Sequence, residues 1–109
     1  FHSGLMEPAQ SGLNEVIEAI KFNDPSVPIV GNCGATALTT GAEVKAELMT
    51  QLTSCVRWQR SVEYMIESGV ETFVEVGPGK VLAGMIKRID RSREIISVGD
   101  MESVRSYAA

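Results

Sequence analysis

Histidine occurs once in this chain, at position 2, and His2 is the residue best suited to acid–base chemistry. Near neutral pH, an imidazole can take a proton from a hydroxyl or thiol nucleophile and return it to a leaving group. Such catalysis also needs a serine or cysteine and a group that orients the base. A histidine beside a terminus is more often solvated than catalytic, so His2 is a candidate base that needs support from other residues.

No nucleophile is evident beside this base. The Gly-x-Ser-x-Gly segment, which presents a serine at a sharp strand-to-helix turn, does not occur in the 109 residues. Cys55 starts a predicted helix, a position that can activate a thiol, but nothing local links it to His2. Cys33 and Cys55 have no Cys-x-x-Cys spacing and no nearby histidine, so no metal site is indicated. We expect both to be free thiols in a reduced, cytoplasmic compartment.

The segment Glu75-Val-Gly-Pro-Gly-Lys80 joins a predicted strand to a predicted helix. Backbone N–H groups at such a turn can bind an anion. The spacing matches neither Gly-x4-Gly-Lys-Ser/Thr nor Gly-x-Gly-x-x-Gly. We favour a tight turn in which Pro78 fixes φ and the glycines adopt unusual backbone angles, with a contact to an acidic ligand or partner as the alternative. Glu75 is a single strand-end carboxylate, so a glycosidase-type pair is not indicated.

Charge is distributed unevenly along the chain. The formal net charge is -4, which argues against general nucleic-acid binding, and no apolar run approaches the roughly 18 residues of a membrane span. Residues 80–93 nevertheless hold five basic residues and one aspartate, a net of +4 that leaves -8 on the rest. This segment is either a solvated helix face or a surface for an acidic protein. Its basic residues are Lys80, Lys87, Arg88, Arg91 and Arg93.

Apolar periodicity and helix-stop signals predict helices that alternate with short strands. The first predicted helix covers 8–22, and the second runs from a Thr40/Glu43 capping box to about 52. After a break at 53–55, a third runs to about 68 with Gly69 as the stop, and two more cover 80–90 and the residues from about 101. The predicted strands cover 28–33, 72–76 and 94–98, with a loop over 34–41.

This order predicts an α/β fold whose partial parallel sheet has about three strands and flanking helices. So small a parallel sheet needs covered faces and neighbours, so we expect it to dock onto further strands. The chain starts at Phe1 without an initiating methionine, and we expect it to be part of a longer protein.

Three segments, in this order, resemble the C-terminal part of the malonyl-CoA:acyl carrier protein transacylase family. They are FHSGLMEPA, VPIVGN and QLTSCVRWQRSVEYMIESGVETFVEVGPGKVLAGMIKRI. The resemblance runs from Phe1 to about Val98, and it is the combination of segments that makes it specific. The family shares its acyltransferase fold with domains of polyketide and fatty acid synthases. Cys55 departs from the family, which usually has proline there.

The resemblance implies a two-domain enzyme with an α/β-hydrolase-like core and a ferredoxin-like subdomain. Residues 1–109 would be the C-terminal portion of the large subdomain, and the half that bears the nucleophilic serine and the ferredoxin-like subdomain would be absent. The implied reaction transfers malonyl from malonyl-CoA to a serine and then to the phosphopantetheine thiol of acyl carrier protein, in fatty acid biosynthesis. It needs no metal or redox cofactor. The implied partners are acyl carrier protein, the coenzyme A thioester and the remaining N-terminal part of the enzyme.

The resemblance also implies roles for three residues. His2 matches the catalytic histidine, Gln51 matches the position whose main-chain carbonyl accepts a hydrogen bond from its ring, and Phe1 matches a substrate-binding position that accompanies malonyl selection. Two alternatives stay open. One is an acyltransferase domain of a polyketide pathway, and the other is a non-catalytic α/β module that binds an acidic carrier protein through the basic segment.

Overall fold

A computed structural model describes residues 1–109, which divide into two units, Phe1–Tyr64 and Met65–Ala109. In the first unit, a 3-10 turn over Gly4–Met6 runs directly into helix α1, Glu7–Ala19. Pro8 lies in the first turn of α1, where its missing N–H has no intrahelical partner to lose.

Helix α1 ends earlier than the sequence predicted. Ile20 already has extended backbone angles, so the prediction of a helix to residue 22 is wrong. The following segment packs against the start of the next helix: Asp24 accepts a hydrogen bond from the Gly41 N–H at 2.8 Å. A Cβ on Gly41 would lie 2.4 Å from the Phe22 carbonyl oxygen. This close backbone contact requires the chain to leave the helix before Phe22.

Strands β1 (Ile29–Val30) and β2 (Ala37–Leu38) form an antiparallel hairpin. The chain reverses right after Val30, where the Ala35 N–H bonds to the Gly31 carbonyl at 3.1 Å. The predicted strand over 28–33 is therefore shorter than expected. The predicted loop over 34–41 contains a strand.

Helices α2 (Gly41–Gln51) and α3 (Trp58–Glu67) follow the hairpin. The predicted capping box at α2 is confirmed, since the Glu43 N–H donates to Thr40 Oγ1 and the Thr40 N–H donates to Glu43 Oε2. The Thr39 and Thr40 N–H groups, which both donate to the Glu43 carboxylate, lower the pKa of Glu43. Gly69 ends α3 with a φ of 97°, as predicted.

The second unit is built on a strand–helix–strand segment. Strands β3 (Thr72–Val76) and β4 (Glu94–Val98) pair in parallel, from Thr72 opposite Glu94 to Val76 opposite Val98. Helix α4 (Val81–Ile89) connects them, and α5 (Met101–Ala108) follows. The buried apolar residues of this unit are Phe73, Ala83, Ile86 and Val98.

The α/β class is confirmed, but the predicted single sheet of about three parallel strands is wrong. Hydrogen bonding defines two separate two-stranded sheets, and only β3 and β4 are parallel. The predicted strand over 28–33 pairs instead with β2 in the local hairpin. None of the helices is both long enough and apolar enough to span a bilayer.

Candidate active site

His2 sits in an unusual backbone conformation just ahead of the 3-10 turn. Its φ of 60° lies in the left-handed region, where histidine is found more often than most residues other than glycine. Ser3 then returns to extended angles, and its carbonyl accepts from the Met6 N–H at 3.1 Å. This turn projects the His2 side chain, which is exposed to solvent.

The His2 ring is held by one main-chain group. Its Nδ1 lies 2.9 Å from the carbonyl oxygen of Gln51, a residue 49 positions away. A carbonyl oxygen can only accept, so Nδ1 must carry the hydrogen. In the neutral ring, Nε2 is then the unprotonated nitrogen and can accept a proton. The geometry therefore selects the tautomer that a general base needs.

The end of α2 explains why this carbonyl is available. Gln51 is the last residue of the helix, and the final carbonyls of a helix have no intrahelical partner. They also carry the negative end of the helix dipole, which favours a cation close by. The Gln51 carbonyl thus orients the ring without adding a full negative charge, whereas an aspartate orients the histidine in a Ser-His-Asp triad.

The structure brings two of the three predicted site residues together. His2 and Gln51 are hydrogen-bonded, and Gln51 takes part through its main chain. Phe1 precedes His2 in the chain, and 86% of its surface is exposed. No packing contact therefore orients the Phe1 ring, and its role in substrate selection stays a prediction.

The two cysteines differ in their exposure to solvent. Both are free, with Cys55 exposed and Cys33 half-buried. Burial and the nearby Glu47 carboxylate raise the pKa of the Cys33 thiol, which makes it a poor nucleophile. Nowhere in the 109 residues do three histidine, cysteine, aspartate or glutamate side chains gather in a way that could hold a metal ion.

The Glu75 carboxylate caps the helix that follows the glycine-rich turn. Glu75 accepts hydrogen bonds from the N–H groups of Leu82 and Ala83, at 3.2 and 2.8 Å, in the first turn of α4. Gly77 and Gly79 have φ values of 137° and 86°, so the tight-turn interpretation holds. An external anion would have to displace Glu75 from these two N–H groups, while a contact to an acidic ligand or partner at the rest of the turn stays an alternative. Sequence reasoning missed this cap, although a glutamate two residues before the first glycine was a usable signal.

The basic segment contains one residue that serves the fold. Arg93 Nε donates to Asp90 Oδ2 at 2.9 Å, and Arg93 Nη1 donates to the Val70 carbonyl at 3.3 Å. The Ser92 hydroxyl and Arg93 together lower the pKa of Asp90 to about 2. The other four basic side chains are exposed: Lys80, Lys87, Arg88 and Arg91.

Comparisons with known proteins found relatives that match nearly the whole chain, although no family model matches it. The malonyl CoA-acyl carrier protein transacylase of Bacillus subtilis is 43% identical over 95% of this chain and 33% of its own length. The solved structure of MCAT from Streptococcus pneumoniae has a TM-score of 0.90 and 36% identity, covering 98% of this chain and 35% of that one.

A third relative is a malonyl-transacylase solved with a type II PKS acyl-carrier protein. It has a TM-score of 0.87 and 36% identity, and the match covers 96% of this chain and 34% of that one. The chain spans about one third of the length of each of these relatives. In sequence and in fold, the chain is similar to about one third of the length of a malonyl CoA-acyl carrier protein transacylase.

Proposed function

We propose that residues 1–109 form the C-terminal portion of the large subdomain of a malonyl-CoA:acyl carrier protein S-malonyltransferase and supply its general base. The hydrogen bond from His2 Nδ1 to the Gln51 carbonyl carries this proposal, since it leaves Nε2 free to take a proton. The nucleophilic serine would come from outside these residues. The homology to malonyl CoA-acyl carrier protein transacylases supports the choice of reaction.

In the first half-reaction, His2 Nε2 accepts the serine hydroxyl proton while the serine oxygen attacks the thioester carbon of malonyl-CoA. The C–O bond forms, the C–S bond breaks, and the imidazolium gives the proton to the departing coenzyme A sulfur. In the second, Nε2 takes the proton of the phosphopantetheine thiol, whose sulfur attacks the malonyl-serine ester. The proton returns to the serine oxygen, which restores the enzyme.

These steps need no metal or redox cofactor, because every bond change is an acyl or proton transfer. Phe1, which precedes the base, is proposed to contact the malonyl group. The free thiols of Cys33 and Cys55 accord with the cytoplasmic location that we propose.

One observation favours a polyketide pathway as a second candidate. The malonyl-transacylase with a TM-score of 0.87 was solved with a type II PKS acyl-carrier protein. The chemistry at His2 would be the same, and only the carrier would differ. Malonyl transfer to a fatty-acid carrier and to a polyketide carrier, compared under equal conditions, distinguishes the two candidates by their kcat/KM values.

The base assignment is tested in the complete enzyme with His2→Ala. We expect the rate of malonyl-serine formation to fall by about 10²–10⁴-fold, the usual contribution of a positioned general base. Single-turnover transfer from labelled malonyl-CoA measures this rate. Ser3→Ala is the matched control, because the cap that Ser3 forms uses its main chain. An unchanged rate in His2→Ala would exclude His2 as the base.

Residues 1–109 expressed alone should not transfer malonyl, because the proposed nucleophile is not among them. Transfer by these residues alone would contradict the proposed division of the active site.

A further inference from the structure

A second hydrogen bond joins the segment that bears His2 to the end of α2. Gln10 is a half-buried residue in α1, and its Nε2 donates to the Met49 carbonyl at 2.8 Å. Met49 lies two residues before Gln51, the residue that holds the His2 ring. The same helix end therefore receives both side chains.

The two donors lie close together along the chain: Gln10 is in α1, and His2 lies just before the 3-10 turn that leads into α1. The 3-10 turn over Gly4–Met6 leads into α1 without a break, so only Ser3 separates His2 from the helical run that carries Gln10. Their acceptors, Met49 and Gln51, both lie in the last turn of α2. Any shift of α1 against α2 that lengthens the Gln10 bond also changes the position of the His2 ring.

The two bonds differ in their exposure to water. The His2 bond is exposed, so water competes for its donor and acceptor. The Gln10 bond is half-buried, and a less polar environment makes a hydrogen bond stronger. Of the two, the Gln10 bond is therefore better suited to holding the end of α2 in a fixed position against α1.

We propose that Gln10 is a positioning residue for His2. By holding the Met49 carbonyl, its amide keeps the Gln51 carbonyl within reach of the ring, and so keeps the proton on Nδ1. Gln10 does not touch the reacting atoms. The inference deepens the proposed function and rests on it, since it assumes that His2 is the base.

The test compares Gln10→Ala and Gln10→Glu in the complete enzyme. At neutral pH, an ionised glutamate can only accept hydrogen bonds and repels the Met49 carbonyl, although it has nearly the shape of glutamine. Gln59→Ala is the matched control, because Gln59 is an exposed helical glutamine whose amide bonds to Glu63. We expect both Gln10 variants to lower kcat by about tenfold with KM for malonyl-CoA unchanged, as for a misplaced catalytic group. Gln59→Ala should match the wild type.

A second readout does not depend on turnover. The ¹⁵N chemical shifts of the His2 ring report which nitrogen carries the proton. We expect the Nδ1–H tautomer to dominate in the wild type and in Gln59→Ala, and its share to fall in both Gln10 variants. A purely structural role for Gln10 would lower the melting temperature and leave the tautomer unchanged.

The outcomes separate this inference from the proposed function. If His2→Ala leaves transfer intact, the proposed function fails, and the inference fails with it. If His2→Ala abolishes transfer while Gln10→Ala keeps the wild-type kcat or tautomer, only the positioning role is overturned. Loss of kcat together with loss of the Nδ1–H tautomer supports it.

Discussion

At the scale of single residues, His2 depends on a neighbour that contributes no side-chain chemistry. The acceptor of its Nδ1 proton is the main-chain oxygen of Gln51, 2.9 Å away. A main-chain acceptor orients the ring as an aspartate would, but adds only the partial charge of a helix end. The resemblance to a known family pointed to this pair. Composition and spacing alone left His2 as an isolated histidine, because partners 49 positions apart leave no local pattern.

Replacing Gln51 by alanine should leave malonyl transfer nearly unchanged, because the acceptor oxygen belongs to the backbone. We expect kcat/KM in the complete enzyme to stay within about twofold of the wild type, the size of a typical surface substitution. Steady-state transfer to acyl carrier protein measures it. A fall of tenfold or more at unchanged stability would mean that the Gln51 side chain takes part directly.

At the scale of elements, the unpaired backbone groups at helix ends form the hydrogen bonds that hold the His2 site and the strand–helix–strand unit together. The C-terminus of α2 offers carbonyls to His2 and Gln10, whereas the N-terminus of α4 offers two N–H groups to Glu75. Helix positions were largely predictable, because apolar spacing and stop residues act over a few neighbouring residues. The exact end of α1 was not, since it depends on the close contact between Phe22 and Gly41.

Replacing Glu75 by alanine should destabilise the strand–helix–strand unit, because the Leu82 and Ala83 N–H groups lose their acceptor. We expect the free energy of unfolding to fall by about 1–2 kcal/mol, comparable with the loss of a helix N-cap. Denaturant unfolding monitored by circular dichroism measures this change.

Glu71→Ala is the matched control for Glu75→Ala. Glu71 is an exposed residue in the same unit. It accepts a hydrogen bond from the Glu94 N–H through its main-chain carbonyl, which the substitution leaves in place. Equal stabilities of the two variants would show that the Glu75 cap contributes nothing measurable.

At the scale of the whole molecule, positive charge is concentrated in residues 80–93 and negative charge in the rest of the chain. A net charge of -4 includes the basic segment at 80–93, where four side chains are exposed and Arg93 is tied to Asp90 and Val70. Separated surface charges of this kind act on encounter rates and on the choice of partner more than on folding. The proposed partner is acyl carrier protein. For the family that the sequence resembles, this partner is an acidic protein.

Reversing two of the exposed charges, with Lys87→Glu and Arg88→Glu together, should weaken binding of acyl carrier protein. We expect the dissociation constant to rise about tenfold at low ionic strength and the salt dependence of binding to flatten, because screened pairs no longer contribute. Titration calorimetry at two salt concentrations measures both effects.

Arg105→Glu is the matched control for the double reversal, as an exposed basic residue of α5 outside the segment. A double variant that binds the carrier like the wild type would assign residues 80–93 to a solvated helix face.

The α/β class, most of the helices, the Thr40 capping box and the Gly69 stop could all be predicted from the amino-acid sequence. Each of these rests on interactions between residues a few positions apart, so it leaves a readable pattern. The tertiary structure was needed to show that the strand after residue 28 turns back into a hairpin with Ala37–Leu38. It alone joined Gln10 to Met49 and set the 2.9 Å distance between His2 and Gln51. Those contacts link positions 39 and 49 residues apart, where pairing is decided by packing.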